Sequence, residues 1–211
     1  YCFPGEPVHK EKITFQDLLE YENVDFQGFR GDIYVKEAVI PEGASIIPKS
    51  QFFGCRSLEK VCLPESVSVI EDYAFADCNV LKVWESMEKL SLKSVGISAF
   101  ENCYALEFIS LPDSLTVIEG AAFADCVSVN KLIFSDTSLL KKIGDHAFRG
   151  CRNLKEVYLP DSVEYVGISA FRDCVSLEQI SVSEKIKDQP GIAELEKNCP
   201  NARIRFREVN S

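Results

Sequence analysis

The feature that most limits what this chain can fold into is a ladder of cysteines. Cys55, Cys78, Cys103, Cys126, Cys151, Cys174 and Cys199 are separated by 23, 25, 23, 25, 23 and 25 residues. Three positions before six of them stands a phenylalanine: Phe52, Phe75, Phe100, Phe123, Phe148 and Phe171. Apolar residues recur three, six and eight positions after the cysteine, as in Leu58, Val61 and Leu63, and a proline usually follows. The unit reads C-x-x-L-x-x-I-x-L-P-x-S-[LV]-x-x-I-x-x-x-A-F-x-x, with two residues inserted after the strand in alternate copies. Self-similarity at a fixed period of this length is the signature of a stacked-repeat architecture.

The same arithmetic places the tripeptide Arg30-Gly31-Asp32, which by itself has the form of an integrin-binding signal. Counting 23 residues back from Cys55 lands on Asp32, so FRGD at 29–32 fills the slot that FRGC fills at 148–151. Val35, Ala38, Ile40 and Pro41 continue a degenerate first coil. The residue before the cysteine slot is Gly31, Gly54, Asp77, Asn102, Asp125, Gly150, Asp173 or Asn198. Gly, Asn and Asp share a tolerance of positive φ, so the pattern predicts that Asp77, Asn102, Asp125 and Asp173 adopt the conformation of Gly54 and Gly150. The repeat thus accounts for the tripeptide, with adhesion as the alternative.

Each Leu-x-x-Ile-x-Leu segment is short and rich in branched apolar residues, which suits a strand. One coil cannot bury both the strand's inner side and its phenylalanine, whereas stacked coils can. The expectation is a right-handed solenoid with about seven parallel concave strands, each ended by the proline that removes a ladder donor. The Ala-Phe-x-x-Cys segments would return as short helical turns on the convex side.

The segments LPESVSVIEDYAFADC (63–78), LPDSLTVIEGAAFADC (111–126) and LPDSVEYVGISAFRDC (159–174) resemble the BspA-like leucine-rich repeats, also called the Treponema pallidum type. Degenerate copies extend the resemblance over about residues 29–187. It implies an α/β leucine-rich-repeat solenoid and a role in adhesion or protein binding at a cell surface or after secretion. Residues 1–28 are expected to cap the N-terminal end, with Thr14, Phe15, Asp17, Leu18 and Leu19 forming a short helix. Residues 188–211 are expected to cap the other end through a helix opened by Asp188 and Pro190, with Ile192 and Leu195 inward, and a closing strand RIRFREV. Caps at both ends favour a single complete domain over 1–211.

Several function classes are disfavoured. A net charge of −10 without a cluster of Lys and Arg argues against nucleic acid and anionic lipid. No run of apolar residues is long enough to span a membrane. His9 and His146 are the only histidines; His9 lies in the polar N-terminal segment and His146 in a variable slot before Ala-Phe, so each reads as solvated rather than catalytic. Gly-Ile-Ser-Ala-Phe at 96–100 and 167–171 begins like a nucleophile elbow, but it lacks the final glycine and the repeat explains both copies. The ladder cysteines share a core slot and read as reduced, buried thiols. No C-x-x-C pair suggests a metal, and no cofactor is expected. Cys2 and Cys62 lie outside the ladder, and Cys62, on an outward strand position, is the candidate reactive thiol.

What remains is binding. The third and fifth residues of Leu-x-x-Ile-x-Leu should point outward. Nothing in the repeat requires Val83, Phe108, Ile133 or Tyr158 to be apolar, and they are expected to form a concave patch across four coils, flanked by Lys131 and Glu156. Exposed apolar patches with polar rims mark interaction surfaces. The expected function is therefore a non-catalytic module for a protein or peptide partner, with an intracellular scaffold as the alternative. In the coil of Trp84 and Ser86, Val83 and Trp84 could exchange faces.

Overall fold

The computed structural model describes residues 12–13, 29–86 and 90–208. The segments with alternating apolar positions form one strand per coil: Glu37–Val39 (β2), Lys60–Leu63 (β4), Val83–Ser86 (β6), Phe108–Ser110 (β8), Lys131–Ile133 (β10), Glu156–Tyr158 (β12) and Gln179–Ser183 (β14). Arg203–Arg207 (β15) follows at the end, and Lys12–Ile13 (β1) pairs with β2. Neighbours pair in parallel and in chain order, as β1-β2-β4-β6 and β8-β10-β12-β14-β15. The chain is a leucine-rich-repeat solenoid, and its inward rows are the ones the repeat marks: Val61, Ile109, Val157 and Ile180 are buried.

A second sheet was not anticipated from the sequence. Two-residue strands at Ile46–Ile47 (β3), Val69–Ile70 (β5), Ser94–Val95 (β7), Val117–Ile118 (β9), Lys142–Ile143 (β11) and Tyr165–Val166 (β13) pair in parallel in the order β3-β5-β7-β9-β11-β13. Each sends its second residue, such as Ile70, Ile118 or Ile143, into the core.

The return segments differ from the expected turns of helix. Alternate amides there bond within the coil and to the next coil. Ala74, Ala76 and Cys78 donate to Glu71, Tyr73 and Phe75 at 3.3, 3.2 and 3.2 Å, whereas Tyr73, Phe75 and Asp77 donate to Ile97, Ala99 and Glu101 at 2.8 Å each. A helix would consume every amide internally and leave none for its neighbour. The alternation requires left-handed backbone at two places per coil. Asp77, Asn102, Asp125 and Asp173 have φ of 60°, 61°, 58° and 61°, beside 71° at Gly54 and 72° at Gly150, as the residue choice predicts. A second positive-φ position, four residues earlier, is held by Ser50, Tyr73, Ser98, Ala121, His146 and Ser169. Asn198 departs from the pattern because it lies in a helical turn, Leu195–Asn198.

The tripeptide at 30–32 takes its repeat role. Gly31 has φ of 75°. The Asp32 carboxylate accepts from the amides of Tyr34 and Val35 at 2.7 and 2.9 Å, and the Arg30 guanidinium lies 4.7 Å from the centre of the Phe53 ring.

Two ladders fill the core. Rings of Phe29, Phe52, Phe75, Phe100, Phe123, Phe148 and Phe171 stack with neighbouring centroids 5.1 to 5.5 Å apart. Each ladder thiol donates to the carbonyl of a phenylalanine one coil back, from Cys55 to Phe29 at 2.9 Å through Cys126 to Phe100 at 3.2 Å and on to Cys199 to Phe171 at 3.0 Å. The slot therefore asks for a small apolar residue with one weak donor, which describes cysteine. Burial, reinforced by the Asp32 charge, pushes the Cys55 thiol up to about 12, and burial with Asp173 raises Cys199 to about 11. Burial also raises Cys78, Cys103 and Cys151 well above the ordinary 9.0.

Two outcomes are expected. Phe123→Ala should cost about 3–5 kcal/mol in denaturant unfolding, because its neighbours on both sides are held by their own coils and cannot collapse into the cavity. The seven ladder thiols should resist alkylation until the chain unfolds. Because the folded thiols hold protons that an unfolded chain releases, stability should be unaffected by thiol ionisation below pH 9.0 and should fall as the pH rises from there toward 11 and 12. Thiol titration and unfolding across that range check both statements.

Candidate interaction surface

The long strands leave their odd positions outward because their even positions are committed to the core. On β8, β10 and β12 the pattern is exposed, buried, exposed. Register then fixes which side chains are neighbours. Phe108 stands opposite Lys131, and Ser110 opposite Ile133. Lys131 stands opposite Glu156, which sets Ile133 beside Tyr158. Phe108 and Ile133 are therefore diagonal neighbours in adjoining rows. They are 44% and 37% exposed, and Tyr158 is 56% exposed.

Val83 does not join them. Its strand β6 ends the four-stranded ladder, and β8 begins the five-stranded one. The backbone register keeps Val83 in the outward row, opposite Lys60, and sets Trp84 opposite Val61, without the exchange that the sequence left open. Val83 itself is half-buried. The apolar patch is thus Phe108, Ile133 and Tyr158, with Lys131 and Glu156 between them.

The other residues weighed from sequence occupy structural places. Cys62 is half-buried in an outward row between Val39 and Glu85. Ser98 and Ser169 of the Gly-Ile-Ser-Ala-Phe segments are buried, with φ of 52° and 56°. Ser169 donates its hydroxyl to Glu194 at 3.3 Å. His146 has φ of 60° in the same slot. Cys2, His9 and the expected helix at 14–19 lie outside the described residues. Among the described residues no group of His, Cys, Asp or Glu could hold a metal ion, and no helix is long and apolar enough to cross a membrane.

The profile of the "BspA type Leucine rich repeat region" matches six copies, over residues 22–138 and 85–190. The chain belongs to this family. The BspA-type chain is similar to the Treponema pallidum leucine rich repeat protein, at 27% identity and a TM-score of 0.53, over 84% of this chain and 73% of that one. It is also similar to a leucine-rich repeat protein from Bacteroides ovatus, at 22% identity and a TM-score of 0.58, over 94% of this chain and 64% of that one. A third similar structure is the pneumococcal vaccine antigen PcpA, at 26% identity and a TM-score of 0.64, over 74% of this chain and 42% of that one. The chain therefore spans less than two thirds of the second and less than half of the third. Comparison with curated proteins finds no match. Repeats of this family commonly mediate protein interactions and are generally not enzymes.

One side chain on this surface escaped the sequence reading. Arg207 places its guanidinium 3.8 Å from the centre of the Tyr158 ring. It donates to Ser181 Oγ at 2.8 Å, to the Leu159 carbonyl at 2.6 Å and to Asp161 Oδ1 at 2.6 Å. The arginine reaches 48 residues back along the chain and braces Tyr158 from one side. The available signal was the alternation RIRFR, which sets Arg203, Arg205 and Arg207 on one face. Arg207→Ala should cost about 1.5–3 kcal/mol, since a charged donor leaves half-buried acceptors behind. It should also raise the solvent quenching of tyrosine fluorescence, and a chemical unfolding curve with a quenching titration reads both.

Proposed function

We propose that this chain is a non-catalytic binding module that docks a protein or peptide partner on the outer face of β8, β10 and β12. The observation that carries the reading is the exposure of Phe108, Ile133 and Tyr158 in rows where the repeat places no apolar demand. Aromatic anchors beside opposite charges are the side chains that dominate interface energies, and Tyr158 is already held by Arg207, so little rotamer freedom is lost when a partner covers it. Lys131 and Glu156 supply the orienting charges. Val83, placed on the other ladder, contributes at most at the margin.

A cell-surface or secreted setting is part of the proposal. Its support is the family and the likeness to a vaccine antigen. An intracellular scaffold is favoured by one observation, that the ladder cysteines from Cys55 to Cys199 form no disulfide, since secreted chains ordinarily oxidise theirs. Burial weakens that argument, because seven of these thiols are shielded from oxidants by the stack itself. Fractionation of the source cells with an antibody to the chain separates the two settings.

The binding claim is tested with Phe108→Asp and Tyr158→Asp, assayed against a partner recovered with the wild-type chain. Ile168→Asp, on the second sheet's side where Ile168 is 45% exposed, serves as control. Each strand-face variant should keep the far-UV spectrum and lose about 2 kcal/mol or more of binding, with the control unchanged. Full binding by both strand-face variants would place the site elsewhere.

A further inference from the structure

The second sheet is followed by a row of backbone amides that the repeat leaves to side chains. Two residues after the buried position of each short strand stand Lys49, Asp72, Ile97, Gly120, Asp145 and Ile168. Where one of these amides has an acceptor, it is a carboxylate of an adjoining coil. Lys49 donates to Glu71 Oε2 at 2.8 Å, Ile97 to Asp72 Oδ1 at 2.8 Å and Ile168 to Asp145 Oδ1 at 2.9 Å. The row therefore directs its N–H groups to where a group from outside the coil can reach them. The amides of Asp72, Gly120 and Asp145 have no acceptor among the described residues. Gly120 and Asp145 stand in successive coils, and both line one groove of about 470 Å³.

A missing side chain opens this groove. A methyl group added to Gly96 would meet Asp72 Oδ1 at 2.9 Å, and one added to Gly167 would overlap Asp145 Oδ1. In those coils an aspartate of one coil fills the space left by a glycine of the next. Gly120 stands before Gly144 in the same relation, without the carboxylate. Its own backbone does not demand glycine: φ is not positive, and an added methyl group would meet the Asp145 carbonyl oxygen at 3.3 Å, a contact that a small shift relieves. By coil order Ile97 bounds the groove on one side and Tyr165 on the other, 45% and 37% exposed. Lys142 donates to Glu119 Oε2 at 2.8 Å, and the Tyr165 hydroxyl donates to Asp145 Oδ1 at 3.5 Å.

These groups restrict the occupant. An anion would meet the Glu119 and Asp145 carboxylates in the same groove. A cation or an apolar group would cover the two amides without supplying an acceptor, which costs their hydrogen bonds to water. An extended peptide laid along the groove presents same-side carbonyls about 6.6 Å apart, whereas amides of successive coils recur at about 4.8 Å. What fits is a neutral ligand dense in hydroxyls, because each hydroxyl both accepts and donates. The negative face of an aromatic ring also suits the C–H face of such a ligand. We infer that the groove between Ile97 and Tyr165 binds a neutral pyranose sugar, whose hydroxyls accept from the amides of Gly120 and Asp145 and donate to the carboxylates of Glu119 and Asp145, with the Tyr165 ring as its platform. This site is separate from the outer-face patch, and neither depends on the other.

The experiment titrates the isotope-labelled full chain with the methyl glycosides of glucose, galactose, mannose and N-acetylglucosamine, and reads the amide resonances by NMR. Acetate and a blocked trialanine peptide serve as the anionic and peptide probes. At least one glycoside should shift the amides of Gly120 and Asp145 with a dissociation constant of about 1–10 mM, while those of Phe108 and Lys131 stay in place. Gly120→Asp restores the aspartate that Asp72 and Asp145 supply in their coils, so the fold should be kept, the Asp145 amide should gain an internal acceptor, and the sugar should bind about tenfold or more weakly. Tyr165→Ala should also weaken binding. The resonances of the wild-type chain decide the matter even where a variant perturbs folding. The inference is overturned if none of the four glycosides shifts these amides at about 50 mM, several times the expected constant, or if the shifts are confined to β8, β10 and β12. It is also overturned if acetate or the peptide shifts Gly120 and Asp145 as strongly as any sugar does, or if Gly120→Asp binds as the wild type does.

Discussion

The structure depends on how the return segments spend their backbone amides. In each coil the amides of alternate residues close tight turns, and those between them cross to the next coil, as with Phe100 to Ala122 and Phe123 to Ala147 at 2.7 and 2.8 Å. This division fixes the distance between coils on the side without long strands. It also sets the phenylalanine rings 5.1 Å apart, as between Phe100 and Phe123, and brings each thiol within reach of a carbonyl one coil back. Coils held this closely leave little room for side chains between them. A methyl group added to Gly144 would lie 2.6 Å from backbone atoms of Glu119 and Gly120, a separation that only backbone displacement could relieve.

What the sequence made legible follows from this constraint. Phe and Cys recur because their slots are closed on both sides and repeat in every coil, so their period survives in the letters. Asp77, Asn102 and Asp125 could be read as left-handed because few residue types accept that backbone. The second left-handed position was hidden for the converse reason. Tyr73, Ala121 and His146 hold it under the pull of inter-coil hydrogen bonds, and nothing in those residue types announces positive φ. The two-residue strands were likewise concealed, since a strand so short has no alternation to detect.

The proposed binding surface was only partly legible. Outward positions can be assigned by counting, which located Phe108, Ile133 and Tyr158. Counting cannot show that pairing lapses between β6 and β8, and so Val83 was grouped with side chains that sit on another ladder. Nor does spacing reveal that Arg207 leans across a strand onto Tyr158, a contact made by tertiary geometry alone. The repeat thus specifies the scaffold closely and its departures from regularity loosely. The candidate surface lies at such a departure, where apolar residues stand in outward rows.

The claim on which all this rests is that the amides bridging coils, together with the phenylalanine ladder, make the stack one cooperative unit. Native-state hydrogen exchange resolved by residue measures it most directly. The account predicts that the amides of Phe52, Phe75, Phe100, Phe123 and Phe148, all of which donate to the next coil, are the slowest to exchange and share a common opening free energy close to that of global unfolding. Fast exchange of these amides at rates typical of surface turns, while the long strands stay protected, would contradict it.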